Sequence, residues 1–188
     1  MPNGGRGSRG TMPTLVKDPP SAEFEALLER RRRLGLDRRD EVWKGVYRMN
    51  PPPTHEHQAI AQQLSELLGP LARSAGLEPL VQEFALGRLG DYLVPDGGLF
   101  RAGARGVWHA TAALVIEILS PDDDTWEKLP FYAEHRVDEV VVVDLHERNV
   151  HWLALEEGEY RPVERSSLVE LGAGELAGRL DWPQGAAA

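Results

Sequence analysis

Glu117 is the residue hardest to explain as mere structure. It sits inside Ala-Ala-Leu-Val-Ile-Glu-Ile-Leu, residues 112 to 119, a run that would otherwise be a buried strand apolar on both faces. A lone carboxylate there is costly to strip of water, so it must be paired with a cation, bound to a metal or held protonated. Lys128, eleven residues later, falls in the first turn of an expected helix, and Asp96 in Leu-Val-Pro-Asp-Gly supplies a second acid. Two acids and a lysine are the minimum set for metal-dependent phosphodiester hydrolysis. Carboxylates hold a hard divalent ion, and an ammonium group stabilises developing negative charge.

Each of these residues also has an ordinary reading. Pro-Asp-Gly is a common turn signal, and a lysine on a short helix is commonly a surface residue. What sets Lys128 apart is its position, since a cation in a first helical turn opposes the helix dipole, and locally broken rules tend to mark functional sites. His57 lies on the inward stripe of another helix near its start, where a satisfied core histidine is the more common occupant. His55, off that stripe, reads as surface.

The elements that must position these groups follow from periodicity and punctuation. Ser21 caps a helix carrying Phe24, Leu27, Leu28 and Leu34 on one stripe, stopped by Gly35, with Arg30 to Arg33 on a solvated outer face. Residues 41 to 49 read as a strand interrupted at Gly45. Thr54 caps a second helix with His57, Ile60, Leu64, Leu67, Leu68 and Leu71 at helical spacing, bent or broken at Gly69-Pro70. Residues 78 to 100 read as one hairpin turning through Gly87 to Gly90, and Pro95, which cannot donate to a ladder, must bulge or stop its second strand. A loop over 101 to 111 leads into the central strand. Asp122, Asp123 and Asp124 lack calcium-loop spacing and suit the start of a helix running from about Trp126 to His135. Lys128, Phe131, Tyr132 and His135 share a face of that helix. Residues 138 to 144 form a buried strand, 148 to 155 and 159 to 163 a hairpin, and the chain from Ser166 is weakly patterned. The sum is a mixed α/β (α+β) sheet with helices on its faces.

Composition fits this frame. The chain has 188 residues, 41% of them hydrophobic and 27% charged, which suits one domain over 21–188 after a Gly- and Pro-rich flexible tail over 1–20. There are no cysteines, so disulfides and thiolate zinc sites are excluded, and any metal must be held by oxygen or imidazole. With no signal-peptide pattern and no run near ~20 apolar residues, a soluble cytoplasmic protein is expected. The net charge of −9 argues against broad attraction to nucleic acid, but it is unevenly spread. Residues 1–48 carry 11 Lys or Arg against 7 Asp or Glu, and residues 49–188 carry 10 against 23.

The strand order, with an Asp after Pro at one strand end and a Glu inside the next, resembles the PD-(D/E)XK nuclease superfamily. Within it, Pro-Pro-Thr-His-Glu-His-Gln, Val-Pro-Asp, Val-Ile-Glu-Ile-Leu-Ser-Pro and Glu-Lys-Leu-Pro-Phe-Tyr resemble the Uma-type (Uma-two) family of restriction endonucleases over roughly residues 40 to 165. The superfamily lysine stands two residues after the Glu, a position held here by Leu119; Lys128 matches the migrated lysine of the Uma-type pattern. The resemblance implies a restriction-endonuclease-like core with an added C-terminal β-hairpin and catalytic residues Asp96, Glu117, Lys128 and His57. It also implies Mg²⁺ or Mn²⁺ held by Asp96, Glu117 and the carbonyl of Ile118, with DNA as substrate. Glu83 is a candidate supporting carboxylate. A homodimer is compatible with one active centre cutting one strand. A second reading stays open, in which the chain is a catalytically silent nuclease-fold module for nucleic-acid binding or protein assembly.

Overall fold

In the computed structural model, residues 14–16, 21–81, 84–120 and 124–183 are described. β1 (Thr14–Val16) precedes α1 (Ala22–Leu34), the hairpin β2 (Glu41–Trp43) and β3 (Val46–Met49), and α2 (His55–Ser74). β4 (Leu77–Val81), β5 (Ala85–Arg88), β6 (Asp91–Leu93), β7 (Gly97–Arg101) and β8 (Trp108–His109) lead to the central β9 (Leu114–Leu119). After α3 (Thr125–Glu134) come β10 (Glu139–Asp144), β11 (Asn149–Glu156), β12 (Glu159–Pro162) and α4 (Ala173–Arg179). The fold is mixed α/β as expected. Its strands form two sheets, one ordered β1-β3-β2-β6-β5-β8 and the other β12-β11-β10-β9-β7-β4. Both are mixed, through the parallel pairs β5/β8 and β9/β10.

Pro95 is where the expected single hairpin divides. β5 and β6 pair across the glycine turn in the first sheet, whereas β4 pairs with β7 in the second. On either side of Pro95, Val94 N–H donates to the Glu41 carboxylate at 2.9 Å and Asp96 N–H to Ile116 O at 3.0 Å. A residue without an N–H is tolerated at such a change of partner, and the strands before and after it are free to join different sheets.

Other departures have local causes. α2 continues through Pro70, because Gly69 has no Cβ to clash with the proline ring and Pro70 itself is exposed. Thr14–Val16, inside the stretch expected to be a tail, is a strand antiparallel to β3, where two β-branched residues suit an edge pairing. Trp108 and His109, inside the expected loop, pair in parallel with β5. α4 arises from the weakly patterned end, with Leu176 its buried residue. Ser21 and Thr54 cap as expected, accepting from Phe24 N and His57 N. Among the described residues, no helix is long and apolar enough to cross a membrane.

Alternation along β9 decides where Glu117 points. Leu114, Ile116 and Ile118 face α2 and α4, packing with Ile60, Leu64, Leu68, Trp152 and Leu176. Each such side chain contributes about 1.5–3 kcal/mol when fully buried. Val115, one position of the same parity as Glu117, packs on the other face among Trp43, Phe84, Leu93, Phe131, Tyr132 and Val142. Glu117 therefore projects toward α3 and the first sheet.

A different buried acid holds the C-terminal segment. Glu139, 1% exposed, accepts from Trp152 Nε1 at 2.8 Å, Ser166 Oγ at 2.6 Å, and Ser167 N and Oγ at 2.8 Å each. Glu139→Ala strands these donors, and a loss of ~3 kcal/mol or more is expected in urea unfolding. A loss under ~1 kcal/mol would contradict this account of the network.

Candidate active site

Two groups of charged side chains meet at the junction of the two sheets. In the first, Glu117 is 3% exposed and its Oε1 lies 3.4 Å from Lys128 Nζ and accepts from the Tyr132 hydroxyl. Lys128 Nζ lies equally, at 3.4 Å, from Glu41 Oε1, and Glu41 is 2% exposed. One ammonium group thus sits between two buried carboxylates. α3 delivers both Lys128 and Tyr132, one helical turn apart on its buried face beside Phe131. The start of this helix is tied to the β2–β3 hairpin by Arg48, which pairs with Asp124 and lies 4.9 Å over the Trp43 ring.

In the second group, Asp96 stands at the entry to β7. Its Oδ2 accepts from Ile118 N at 2.9 Å and meets His57 Nε2 at 3.1 Å, and its Oδ1 accepts from Arg39 Nη2 at 2.6 Å. His57 Nδ1 is buried and has no hydrogen-bond partner among the described residues. With a proton on Nε2 the ring donates to Asp96.

Burial pushes the Glu117 carboxyl up to about 8; Lys128 opposes this, while Asp96 and Glu41 add repulsion. Burial also acts upward on Asp96, but hydrogen bonding and attraction from His57, then Arg39 and the Ile118 N–H, hold it below its ordinary value. Burial first, and then the neighbouring Glu117, raise Tyr132 well above the ordinary phenol, so it remains a donor. The two acids are therefore held in opposite protonation states, a condition typical of functional sites.

The Glu117 shift has a testable sign. Between its ordinary value of 4.5 and about 8, the folded metal-free chain holds a proton that the unfolded chain has released. Stability must then fall as pH rises through that window and level off above it. Glu117→Gln removes the titration, so in EDTA its stability relative to the wild type should increase from about pH 5 to about pH 8 in urea unfolding. A constant difference across that range would contradict the assigned cause.

The structure thus brings the expected Asp96, Glu117, Lys128, His57 and Ile118 into one neighbourhood. Glu83, the expected supporting carboxylate, lies outside the described residues, as do Asp122 and Asp123. Glu41 and Arg39 were not anticipated. Arg39 and Asp40 lie in a charged stretch just ahead of the expected strand and Glu41 is its first residue, yet each has a separate task. Asp40 is clamped by Arg31 through Nε at 2.9 Å and Nη2 at 2.6 Å, and by Tyr47 OH at 2.9 Å. The one available signal for Glu41 is its alternation with Trp43, which puts acid and indole on the same side of β2.

A family model described as "Uma2: Putative restriction endonuclease" matches residues 22–180. The chain belongs to the Uma2 family. A crystal structure described as "a putative nuclease belonging to DUF820 from Anabaena variabilis ATCC 29413" superposes on this Uma2 chain with a TM-score of 0.61 at 18% identity, covering 74% of this chain and 90% of its own. A structure of a DrdV–DNA complex matches with a TM-score of 0.41 at 18% identity, over 67% of this chain and 11% of its own. No curated protein matches the Uma2 chain. The mixed α/β fold of a nuclease is thereby shown, and the family description places the chain with nucleases.

Proposed function

We propose that this Uma2 protein is a divalent-metal-dependent endonuclease that hydrolyses DNA phosphodiester bonds through Asp96, Glu117 and Lys128. The observation carrying this reading is Glu117, a carboxylate buried in the central strand, facing Lys128 and backed by Asp96 at the entry to the adjoining strand. Family membership supports the reaction class.

The donor chemistry fits Mg²⁺ or Mn²⁺. With Glu117 ionised, Glu41, Glu117 and Asp96 exceed the positive charge of Lys128 and Arg39, and every candidate ligand is a hard oxygen. Among the described residues there is no cluster of three or more His, Cys, Asp or Glu poised to hold a metal. Two acids, Asp96 and Glu117, with the Ile118 carbonyl and waters are the set proposed, in keeping with the several waters that Mg²⁺ retains. When bound, the ion supplies Lewis-acid polarisation of a phosphoryl oxygen and a more acidic water.

The chain's own groups do the rest. Glu117 would hold the ion as its carboxylate, with its proton released to solvent. Lys128, fixed by Glu41 as well as Glu117, offers N–H donors to a nucleophilic water or to the charge developing on phosphorus. Tyr132 holds Glu117 in orientation, and His57 does so for Asp96.

Supercoiled plasmid is the direct test: nicking or cutting should appear with Mn²⁺ or Mg²⁺ and stop with EDTA. Salt-sensitive DNA binding without any metal-dependent cleavage would favour the silent nuclease-fold module instead.

A further inference from the structure

Both oxygens of Asp96 are engaged, but their partners are not equally fixed. The Ile118 N–H belongs to the central strand in a residue 1% exposed, and the His57 side chain is 7% exposed. Arg39 differs on three counts. Its side chain is 31% exposed, it reaches Asp96 Oδ1 through Nη2, and no other partner for its guanidinium is seen among the described residues. Its backbone is anchored independently, with the carbonyl accepting from Asn50 Nδ2 at 2.8 Å and neighbouring Asp40 clamped by Arg31 and Tyr47. The guanidinium can leave Asp96 and be hydrated without shifting the turn that carries it. Lys128 cannot do so at similar cost, being 9% exposed and enclosed by two acids.

We propose that Arg39 is an exchangeable counter-ion: it occupies Asp96 Oδ1 while no metal is bound, yields that oxygen to a divalent cation, and then presents its guanidinium to a backbone phosphate of the substrate. This rests on the metal-dependent nuclease reading and deepens it. A cation on Oδ1 and Arg39 are like charges on one oxygen, and Arg39, the more exposed of the two side-chain partners of Asp96, is the one that moves. A planar guanidinium at the rim of the site is suited to a phosphodiester by its forked donors. Arg39 is thus a positioning residue that changes client, from protein carboxylate to substrate phosphate.

The two halves predict opposite signs for one substitution. In the full-length chain, Arg39→Gln should bind Mn²⁺ on the order of tenfold more tightly, read from the electron paramagnetic resonance of the free aqua ion. The same variant should bind a short DNA duplex more weakly, with a salt slope lower by about one, measured by fluorescence anisotropy with Ca²⁺ replacing Mn²⁺ to slow turnover. Arg39→Lys, which keeps the charge, should bind Mn²⁺ nearly as the wild type does. In the wild type, the Arg39 Nε–H signal, assigned by its loss in Arg39→Lys, should shift when Mg²⁺ is added; this measurement stands even if the Gln variant fails to fold. A simple structural role would weaken both ligands together, and that result overturns the proposal, as does unchanged Mn²⁺ affinity, unchanged duplex binding or an unmoved Nε–H signal. Absence of Mn²⁺ binding in wild type and variant alike would instead overturn the metal reading and this inference with it.

Discussion

Lys128→Met is expected to reduce metal-dependent DNA cleavage by roughly 10³-fold and to make the protein's stability strongly dependent on pH. The wild-type ammonium is 3.4 Å from both Glu41 Oε1 and Glu117 Oε1, with both acids nearly inaccessible to water. Methionine fills the same channel without charge, so what is lost is electrostatic rather than a matter of volume. Removing one partner from a buried ionic group costs about 3–5 kcal/mol when the remaining charges have no other outlet. Here an outlet exists below about pH 8, because Glu117 already tends to hold a proton and loss of Lys128 strengthens that tendency. The folded variant therefore retains protons that its unfolded chain releases above the ordinary glutamate value. Its stability deficit must be nearly constant from pH 5 to about pH 7, where both proteins hold the Glu117 proton, and grow above about pH 8, where only the wild type releases it. Urea unfolding on either side of that pH separates this from a packing defect, which would cost the same at each. Adding Glu41→Gln to the variant should restore part of the stability on the alkaline side but none of the cleavage. Single-turnover rates at the wild-type level would remove Lys128 from the chemistry.

How much of this site could be read from the chain depends on whether a residue breaks a local rule. Glu117 does so visibly, since an acid inside Val-Ile-Glu-Ile-Leu has no local explanation, and strand alternation then dictates the face it takes. Lys128 opposes the dipole of a short helix whose Phe131 and Tyr132 already define the buried side. His57 sits on a stripe with Ile60 and Leu64, so its inward direction followed from helical spacing, although nothing local pointed to Asp96 as its partner. Arg39 and Glu41 break no such rule. Asp37-Arg38-Arg39-Asp40 suits a solvated connection and Glu41 the outer end of a strand, and their tasks exist only once β2 lies beside β6 and the start of α3. The same limit applies to architecture. Helix caps at Ser21 and Thr54 and the turn before β6 are local, and they were legible. The division of strands between two sheets is a tertiary outcome in which Pro95 marks the place but does not say which partner each half will choose. Ser166 and Ser167 looked like weakly patterned sequence because their role is to satisfy Glu139, an acid almost thirty residues earlier.

Asp96→Asn is the substitution expected to be most damaging for its size. The aspartate accepts on both oxygens, from Arg39 on one side and from Ile118 N–H and His57 on the other. An asparagine amide has one acceptor and one donor end, so either orientation points an NH₂ at an existing donor. Turned toward Arg39, the conflict is cheaper, because that side chain can retreat into water. Turned toward Ile118, it strands a buried backbone N–H at a cost of about 1–3 kcal/mol. The variant should therefore fold with its amide nitrogen facing the Arg39 side, losing the ion pair and ~2 kcal/mol near neutral pH. Because the folded-state value of Asp96 is depressed, the wild type's advantage is present above the ordinary aspartate value of 3.8 and should shrink as pH falls through and below it. That is the reverse of the trend expected for Glu117, and the two titrations are separable by the pH at which each acts. Cleavage should drop by three decades or more, equivalent to ~4 kcal/mol, since the neutral amide removes a negative ligand at the point where a divalent cation must be held. Mn²⁺ binding measured on the same preparation should fall in parallel with the rate. If the variant keeps wild-type Mn²⁺ affinity while losing cleavage, Asp96 acts on substrate or water rather than as a metal ligand, and the ion must be held by Glu117 with other oxygens.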